Sequence, residues 1–116
     1  MLFRSKILFV CRGNTCRSPS AKAILRHLLQ EREDRNEWEI DSAGTLGFRE
    51  GLLSDERGLQ VLKKHGIVSN HRARQVNEDD FRRFDVMLAF DKGNVRGLNE
   101  TFKPNDGTAR LHVFIK

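Results

Sequence analysis

The sequence predicts a single α/β domain built on a parallel sheet, and three observations carry that prediction. Short apolar runs, Ile7-Leu8-Phe9-Val10 among them, alternate along the chain with stretches of helical apolar spacing. The 116 residues suit one compact domain, 1–116, with a small core, and no repeat, low-complexity tract or linker divides them. At 38% hydrophobic and 32% charged, the composition is that of a globular rather than a disordered chain.

Each element has its own warrant. Residues 6–10 form the first expected strand, and their unbroken apolar character predicts burial on both faces. Ser18 is placed as a helix N-cap and Pro19 as the first helical residue. Ala21, Ile24, Leu25, Leu28 and Leu29 then make an apolar stripe at helical spacing. Residues 38–41 read as a second strand that leaves through a loop containing Gly44, Gly47 and Gly51. A second helix is expected from near Ser54, with Asp55 and Glu56 in its first turn, stopping at His65-Gly66. Asn77, with Asp80 three residues on, has the pattern of another helix start. Residues 85–90 and 110–115 are the third and fourth strands, the last introduced by the turn Pro104-Asn105-Asp106-Gly107.

Charge and cysteine content narrow the partners. The net charge is +5, but the basic residues are scattered: Glu31-Arg32-Glu33-Asp34-Arg35 alternates in sign, and Arg82-Arg83 lies beside Glu78, Asp79 and Asp80. No nucleic-acid motif accompanies them, so a solvated basic surface is expected, one that also attracts anionic phosphoesters. No apolar run approaches the ~20 residues of a membrane span. The two cysteines, Cys11 and Cys16, do not make a secreted disulfide framework, and no cleavable signal pattern precedes the first strand. A cytoplasmic location is therefore expected. Two cysteines without a suitably spaced histidine cannot complete a four-ligand zinc site, and the Gly-x₄-Gly-Lys-Ser/Thr nucleotide loop is absent.

The most informative stretch is Cys11-Arg12-Gly13-Asn14-Thr15-Cys16-Arg17-Ser18, directly after the first strand. A strand delivers a thiol into a tight loop, and Ser18-Pro19 opens a helix beyond it. Successive backbone N–H groups in such a turn, with the positive end of the helix, make a concave anion site. The same field favours a thiolate over a thiol. A guanidinium, Arg17, can grip two oxygens of a tetrahedral oxyanion as charge builds on them. Gly13 and Asn14 are the residues that best tolerate a left-handed backbone. Ser18 can cap the helix or donate its hydroxyl to Cys11. The site therefore reads as one for phosphate transfer, with Cys11 as nucleophile. Cys11, Ser42 and Asp91 each follow one of the first three strands, on the rim where such sheets bind ligands.

The run Val10-Cys11-x-Gly13-Asn14-x-Cys16-Arg17-Ser18-Pro19 resembles the signature of the low-molecular-weight protein tyrosine phosphatases. Further matches are Trp38-Glu39-Ile40-x-Ser42-Ala43-Gly44-Thr45, His65-Gly66-Ile67, His71-x-Ala73-Arg74 and Phe84-Asp85-x-Met87-Leu88-Ala89-x-Asp91. The resemblance implies a flavodoxin- or Rossmann-like three-layer sandwich with a four-stranded parallel sheet in the order 2-1-3-4. It implies hydrolysis of tyrosine-phosphorylated proteins or aryl phosphates through a thiophosphate on Cys11. Arg12, Gly13, Asn14, Thr15, Cys16 and Ser18 would join Arg17 in binding phosphate. Asn14, Ser42 and His71 would brace the loop, Asp91 would support it, and Phe48 would form a wall for the substrate ring or tuck onto the core. Cys11 and Cys16 would form a reversible disulfide; the other reading of Cys16 is a small apolar filler. Neither cofactor nor metal is implied, and inorganic phosphate or vanadate would inhibit.

One departure matters. The family carries an Asp-Pro-Tyr loop whose aspartate is the general acid, and no Asp-Pro pair occurs in these 116 residues. Slow turnover of phosphotyrosine is therefore expected, with Asp91, Asp106 and Glu50 as poor substitutes for the acid. The family's last helix would also be missing, so self-association is expected through the apolar face beside the first helix. Two alternatives stand beside this reading. One is a non-catalytic phosphotyrosine- or phosphate-binding regulator. The other is a thiol-dependent arsenate reductase, which would here need an external thiol.

Overall fold

The structure, a computed structural model, describes residues 5–15, 17–47, 50–102 and 110–113. Strand β1 (Ser5–Cys11) is flanked by β2 (Trp38–Gly44) and β3 (Val86–Ala89), and β4 (Arg110–Val113) pairs beyond β3. All three pairings are parallel. Helix α1 (Arg17–Leu29) links β1 to β2. Helices α2 (Glu56–Lys64) and α3 (Asp80–Arg83) lie between β2 and β3, and α4 (Lys92–Phe102) lies between β3 and β4. The expected α/β class is present: helices pack on both faces of a parallel sheet.

Strand β1 shows why. Alternate residues of a strand face opposite ways. Leu8 and Val10 join Ala43, Val76, Phe81, Phe84, Met87 and Leu98 in one apolar cluster, which α3 and α4 cover. Phe9 and Cys11 join Leu29, Ile40 and Phe90 in the other, against which Ala21 and Leu25 of α1 pack. A strand buried on both faces needs apolar residues at every position, which is what the run Ile7–Val10 supplies.

The helix ends follow local chemistry. Asn77 and Asp80 exchange bonds: the Asn77 side chain accepts the Asp80 N–H at 3.1 Å, and the Asp80 carboxylate accepts the Asn77 N–H at 2.9 Å. Helix α2 ends at His65-Gly66, where Gly66 takes φ 75° and the Ile67 N–H returns to the Leu62 carbonyl at 2.9 Å.

Four expectations need correction. Helix α1 begins at Arg17, so Ser18 and Pro19 lie inside its first turn rather than at cap and first position. In the stripe of α1, Leu29 is buried, but Ile24 and Leu28 are 42% and 66% exposed, because no described element covers that flank. Asp55 is the N-cap of α2, its carboxylate accepting the Gly58 N–H, so the helix starts two residues after Ser54. Strand β2 runs on to Gly44 through pairing with Cys11. Helix α4 went unnoticed in the sequence; Asp91 caps it by accepting the Asn94 N–H at 2.8 Å. The expected turn at 104–107 lies outside the described residues.

Candidate active site

Cys11 is the last residue of β1 and is 4% exposed. The backbone bends immediately after it, and Asn14 takes φ 57°. Asparagine is one of the few side chains that accept this left-handed conformation. Both Gly13 and Asn14 suit a left-handed turn by residue type; of the described glycines only Gly51 and Gly66 have positive φ, so the turn belongs to Asn14. The turn aims the Asn14 N–H at Cys11 Sγ, 3.2 Å away. Ser18 Oγ approaches the same sulfur to 2.9 Å.

Behind the loop, the fully buried Asn14 side chain joins four partners. Its Nδ2 donates to Ser18 Oγ at 2.8 Å and to Ser42 Oγ at 3.0 Å. Its Oδ1 accepts the Arg74 backbone N–H at 2.9 Å and His71 Nε2 at 2.8 Å. The backbone donor fixes which way the amide faces, since a peptide N–H can only donate. Because Ser18 Oγ accepts from Asn14, its own proton remains available to Cys11. Ser18 therefore serves the sulfur rather than capping the helix.

A charged layer backs that lattice. Lys22 of α1 places Nζ 2.7 Å from His71 Nδ1 and 3.3 Å from Asp41 Oδ1. Arg74 bridges two aspartates, meeting Asp41 at 3.2 Å and Asp80 in a two-pronged pair at 2.9 and 3.0 Å. Burial, reinforced by the Lys22 charge, lowers the His71 pKa to about 4, so the ring is neutral near pH 7. Burial works to raise the Asp41 pKa, but the Ser42 N–H, Arg74 and Lys22 together hold it below the usual range. Burial lowers the Lys22 pKa against the opposing pull of Asp41.

Two neighbouring segments clamp the loop backbone. The Cys11 carbonyl accepts the Thr45 N–H at 2.9 Å, Arg12 accepts Leu46 at 3.1 Å, and Thr15 accepts Asp55 at 2.5 Å. The approach is closest at Gly44, where a Cβ would lie 2.8 Å from the Arg12 carbonyl oxygen and 3.2 Å from Asn14 Cβ. Glycine is required there by contact, not by dihedral angle.

The front of the loop is more open. Arg17 starts α1, stacks 5.6 Å over the Phe90 ring and meets Asp91 Oδ2 at 3.2 Å, both side chains of that pair being about half exposed. The Asn94 N–H, and then Arg17, hold the Asp91 carboxyl below its ordinary pKa against slight burial. Arg12 is exposed. Among the described residues no hydrogen bond uses the backbone N–H of Gly13 or Thr15. These donors, the first turn of α1 and Arg17 suit an oxyanion at Cys11.

The structure thus brings Cys11, Asn14, Ser18, Ser42 and His71 into one hydrogen-bonded group, and sets Arg17 with Asp91 beside it. Cys16, Phe48 and Asp106 lie outside the described residues; Glu50 is exposed and belongs to the turn after Gly47. Lys22, Asp41 and Asp80 went unrecognised as site residues in the sequence. Asp80 was legible only as a helix-start residue paired with Asn77, and Lys22 and Asp41 carried no signal beyond their charge. Among the described residues, no three His, Cys, Asp or Glu side chains cluster as a metal site, and no helix is long and apolar enough to cross a membrane.

Comparison with known proteins agrees with this geometry. Residues 6–116 match the family model of the low molecular weight phosphotyrosine protein phosphatases. The low molecular weight phosphotyrosine protein phosphatase of Gallus gallus is 50% identical over 92 residues, which are 79% of this chain and 58% of that protein. The Homo sapiens protein of the same name is 45% identical over 93 residues, 80% of this chain and 59% of the relative. The matched region thus spans less than two thirds of these relatives. Among solved structures, a Drosophila arginine phosphatase superposes with a TM-score of 0.86 at 40% identity, covering 93% of this chain and 69% of its own. A protein tyrosine phosphatase from Entamoeba histolytica gives a TM-score of 0.85 at 34% identity, covering 94% and 69%.

Proposed function

This chain belongs to the low molecular weight phosphotyrosine protein phosphatase family, and from that premise we propose that it removes phosphate from aryl phosphoesters, phosphotyrosine above all. The observation that carries the reading is the pair of donors on Cys11 Sγ, the Asn14 N–H and the Ser18 hydroxyl. Cys11 attacks phosphorus in line, forming an S–P bond as the P–O bond to the phenol breaks. Water then attacks the thiophosphate, releasing inorganic phosphate and restoring the thiolate. Arg17 and the free N–H groups of the loop hold the equatorial oxygens, where charge accumulates. Phosphate and vanadate would occupy the same cradle.

The phenolate of phosphotyrosine has a conjugate acid of pKa ~10, so its departure needs a proton, and a positioned acid supplies about 10²–10⁴ in rate. Asp91 is engaged by Arg17 and the Asn94 N–H. For a polypeptide of these 116 residues, rates therefore depend steeply on the leaving group, and p-nitrophenyl phosphate turns over faster than phosphotyrosine. Stopped-flow mixing tests this: a burst of p-nitrophenolate that Cys11→Ser abolishes supports the nucleophile. Bound vanadate without a burst favours the phosphate-binding regulator instead.

A second reading concerns the substrate. A solved relative at 40% identity is named an arginine phosphatase, and a phosphoarginine substrate would present a P–N bond to the same sulfur. Turnover of phosphoarginine exceeding that of phosphotyrosine would select it. The exposed Ile24 and Leu28, with Val61 and Val68, favour self-association through the α1 and α2 side; sedimentation showing only monomer at high concentration would refute that.

A further inference from the structure

Lys22 stands outside the residues that touch Cys11, yet it makes the shortest contact to the ring that braces Asn14. Its ammonium has protons to give and no lone pair to receive them, so His71 Nδ1 must accept. The His71 proton then resides on Nε2, where the Asn14 Oδ1 requires a donor. Both ends of the imidazole are thereby committed to one tautomer. A second proton on Nδ1 would face the Lys22 ammonium at 2.7 Å with no acceptor.

We propose that Lys22 is a positioning residue for Cys11: it holds His71 neutral in the Nε2–H form, so that His71, Asn14 and Ser18 keep one arrangement of protons behind the sulfur across the neutral and mildly acidic range. The significance for turnover rests on Cys11 being the nucleophile proposed above, but the proton arrangement itself does not. Every charged group around His71 is accounted for. Lys22 and Arg26 come from α1, Asp41 from β2 and Arg74 from the segment before α3; three are cations, and Lys22 outweighs the opposing Asp41. Asp41 also fixes Lys22, accepting from Nζ at 3.3 Å while its Oδ1 receives the Ser42 N–H at 2.8 Å. Lys22 and His71 line a cleft of about 320 Å³, and His71 itself is only 7% exposed. Burial and the Lys22 contact together keep the ring neutral.

The consequence is a latent titration. Without the cation, His71 loses the largest charge opposing its protonation while burial remains, and it titrates at a higher pH than in the native protein. Its charging then places a positive group two hydrogen bonds behind Ser18. Cys11 reactivity would acquire a pH step that the native protein lacks.

The experiment compares wild type with Lys22→Met, Lys22→Gln and Lys22→Arg in two assays that require no turnover. Long-range ¹H–¹⁵N spectra of the histidine rings report tautomer and titration of His71, and iodoacetamide alkylation across pH 4.5–8 reports Cys11. Wild type should show the Nε2–H tautomer with titration only near about 4. Lys22→Met should titrate at a clearly higher pH than wild type, and its alkylation profile should gain an inflection at that same pH. Lys22→Arg should restore the native profile. Lys22→Gln, which can donate without charge, should keep the tautomer while letting the ring titrate higher, and it stands in for Lys22→Met should that variant unfold. A His71 titration and a Cys11 profile identical to wild type in both Lys22→Met and Lys22→Gln would overturn the proposal. If phosphatase turnover is absent altogether, both readouts still decide the matter.

Discussion

The two sides of the loop that follows β1 are built on opposite terms. Behind it, Asn14, Ser18, Ser42 and His71 are buried, and each is bonded to at least two partners among one another, Cys11 and the charged layer beyond. In front, Arg17 and Asp91 form a half-exposed pair beside exposed Arg12. Exposed ion pairs contribute little to stability, because solvent screens them and long side chains lose freedom in making them. Buried polar groups are costly unless every donor and acceptor is matched. The rear therefore sets the shape of the site, and the front remains free to rearrange around an incoming phosphate. Substitutions in front should cost rate, and substitutions behind should cost folding.

The strongest way to test that division is at the sulfur. Cys11→Ser should lower phosphate release on the order of 10⁴-fold or more, as loss of a nucleophile does, while the denaturation midpoint changes little. Arg17→Ala should lower kcat by about 10²–10³-fold with stability within about 0.5 kcal/mol of wild type. An equal loss of stability would show that Arg17 is part of the scaffold. Arg17→Lys should recover little, since a point charge does not reproduce a planar fork.

Behind the loop the pattern should reverse. Asp80→Ala leaves Arg74 with Asp41 alone and removes the exchange with Asn77, so urea unfolding should report a loss of about 1–3 kcal/mol. Asn14 separates dihedral from bonding. Asn14→Ala suffers both the left-handed backbone, about 1–2 kcal/mol, and the unmatched partners; Asn14→Gly suffers only the second. If the two variants are equally stable, the positive φ is not a cost in this loop.

Acid stability gives the finest discrimination. Folding lowers the His71 pKa to about 4, below the ordinary value of about 6.5. Its contribution is therefore complete above about pH 6.5 and is lost as pH falls through about 4. Urea midpoints measured between pH 7 and pH 5 should decline in wild type and decline less in His71→Gln. An identical slope would mean that His71 is not held neutral by the fold.

The sequence was read most successfully where local pattern and local chemistry coincide. The apolar run of β1, the Asn77–Asp80 exchange and the Gly66 stop each depend on residues a few positions apart. The Cys11 loop was legible for the same reason, its thiol, arginine and serine lying within eight residues. Helix α4 has a weak sequence pattern because Gly93 and Gly97 interrupt it, and its N-terminus is secured by Asp91, a residue the family resemblance assigns to the site. The stripe on α1 was overread, since spacing alone does not say which apolar positions meet the sheet: Ala21, Leu25 and Leu29 do, and Ile24 and Leu28 do not.

The chain by itself thus determined an α/β fold and a cysteine loop suited to phosphate, because strand burial, helix stops and the composition of one short loop are local properties. It could not show that Lys22, Asp41, Arg74 and Asp80 stand in a single charged layer behind that loop. Lys22 and His71 are 49 positions apart, and Arg74 and Asn14 are 60. Nor could it show that Gly44 must be glycine, since that need arises from the Arg12 carbonyl pressing on it from another segment. Which donor meets which acceptor across such separations depends on the parallel register of β1 against β2 and on how α1 returns over the sheet. Those distances exist only once the strands have paired.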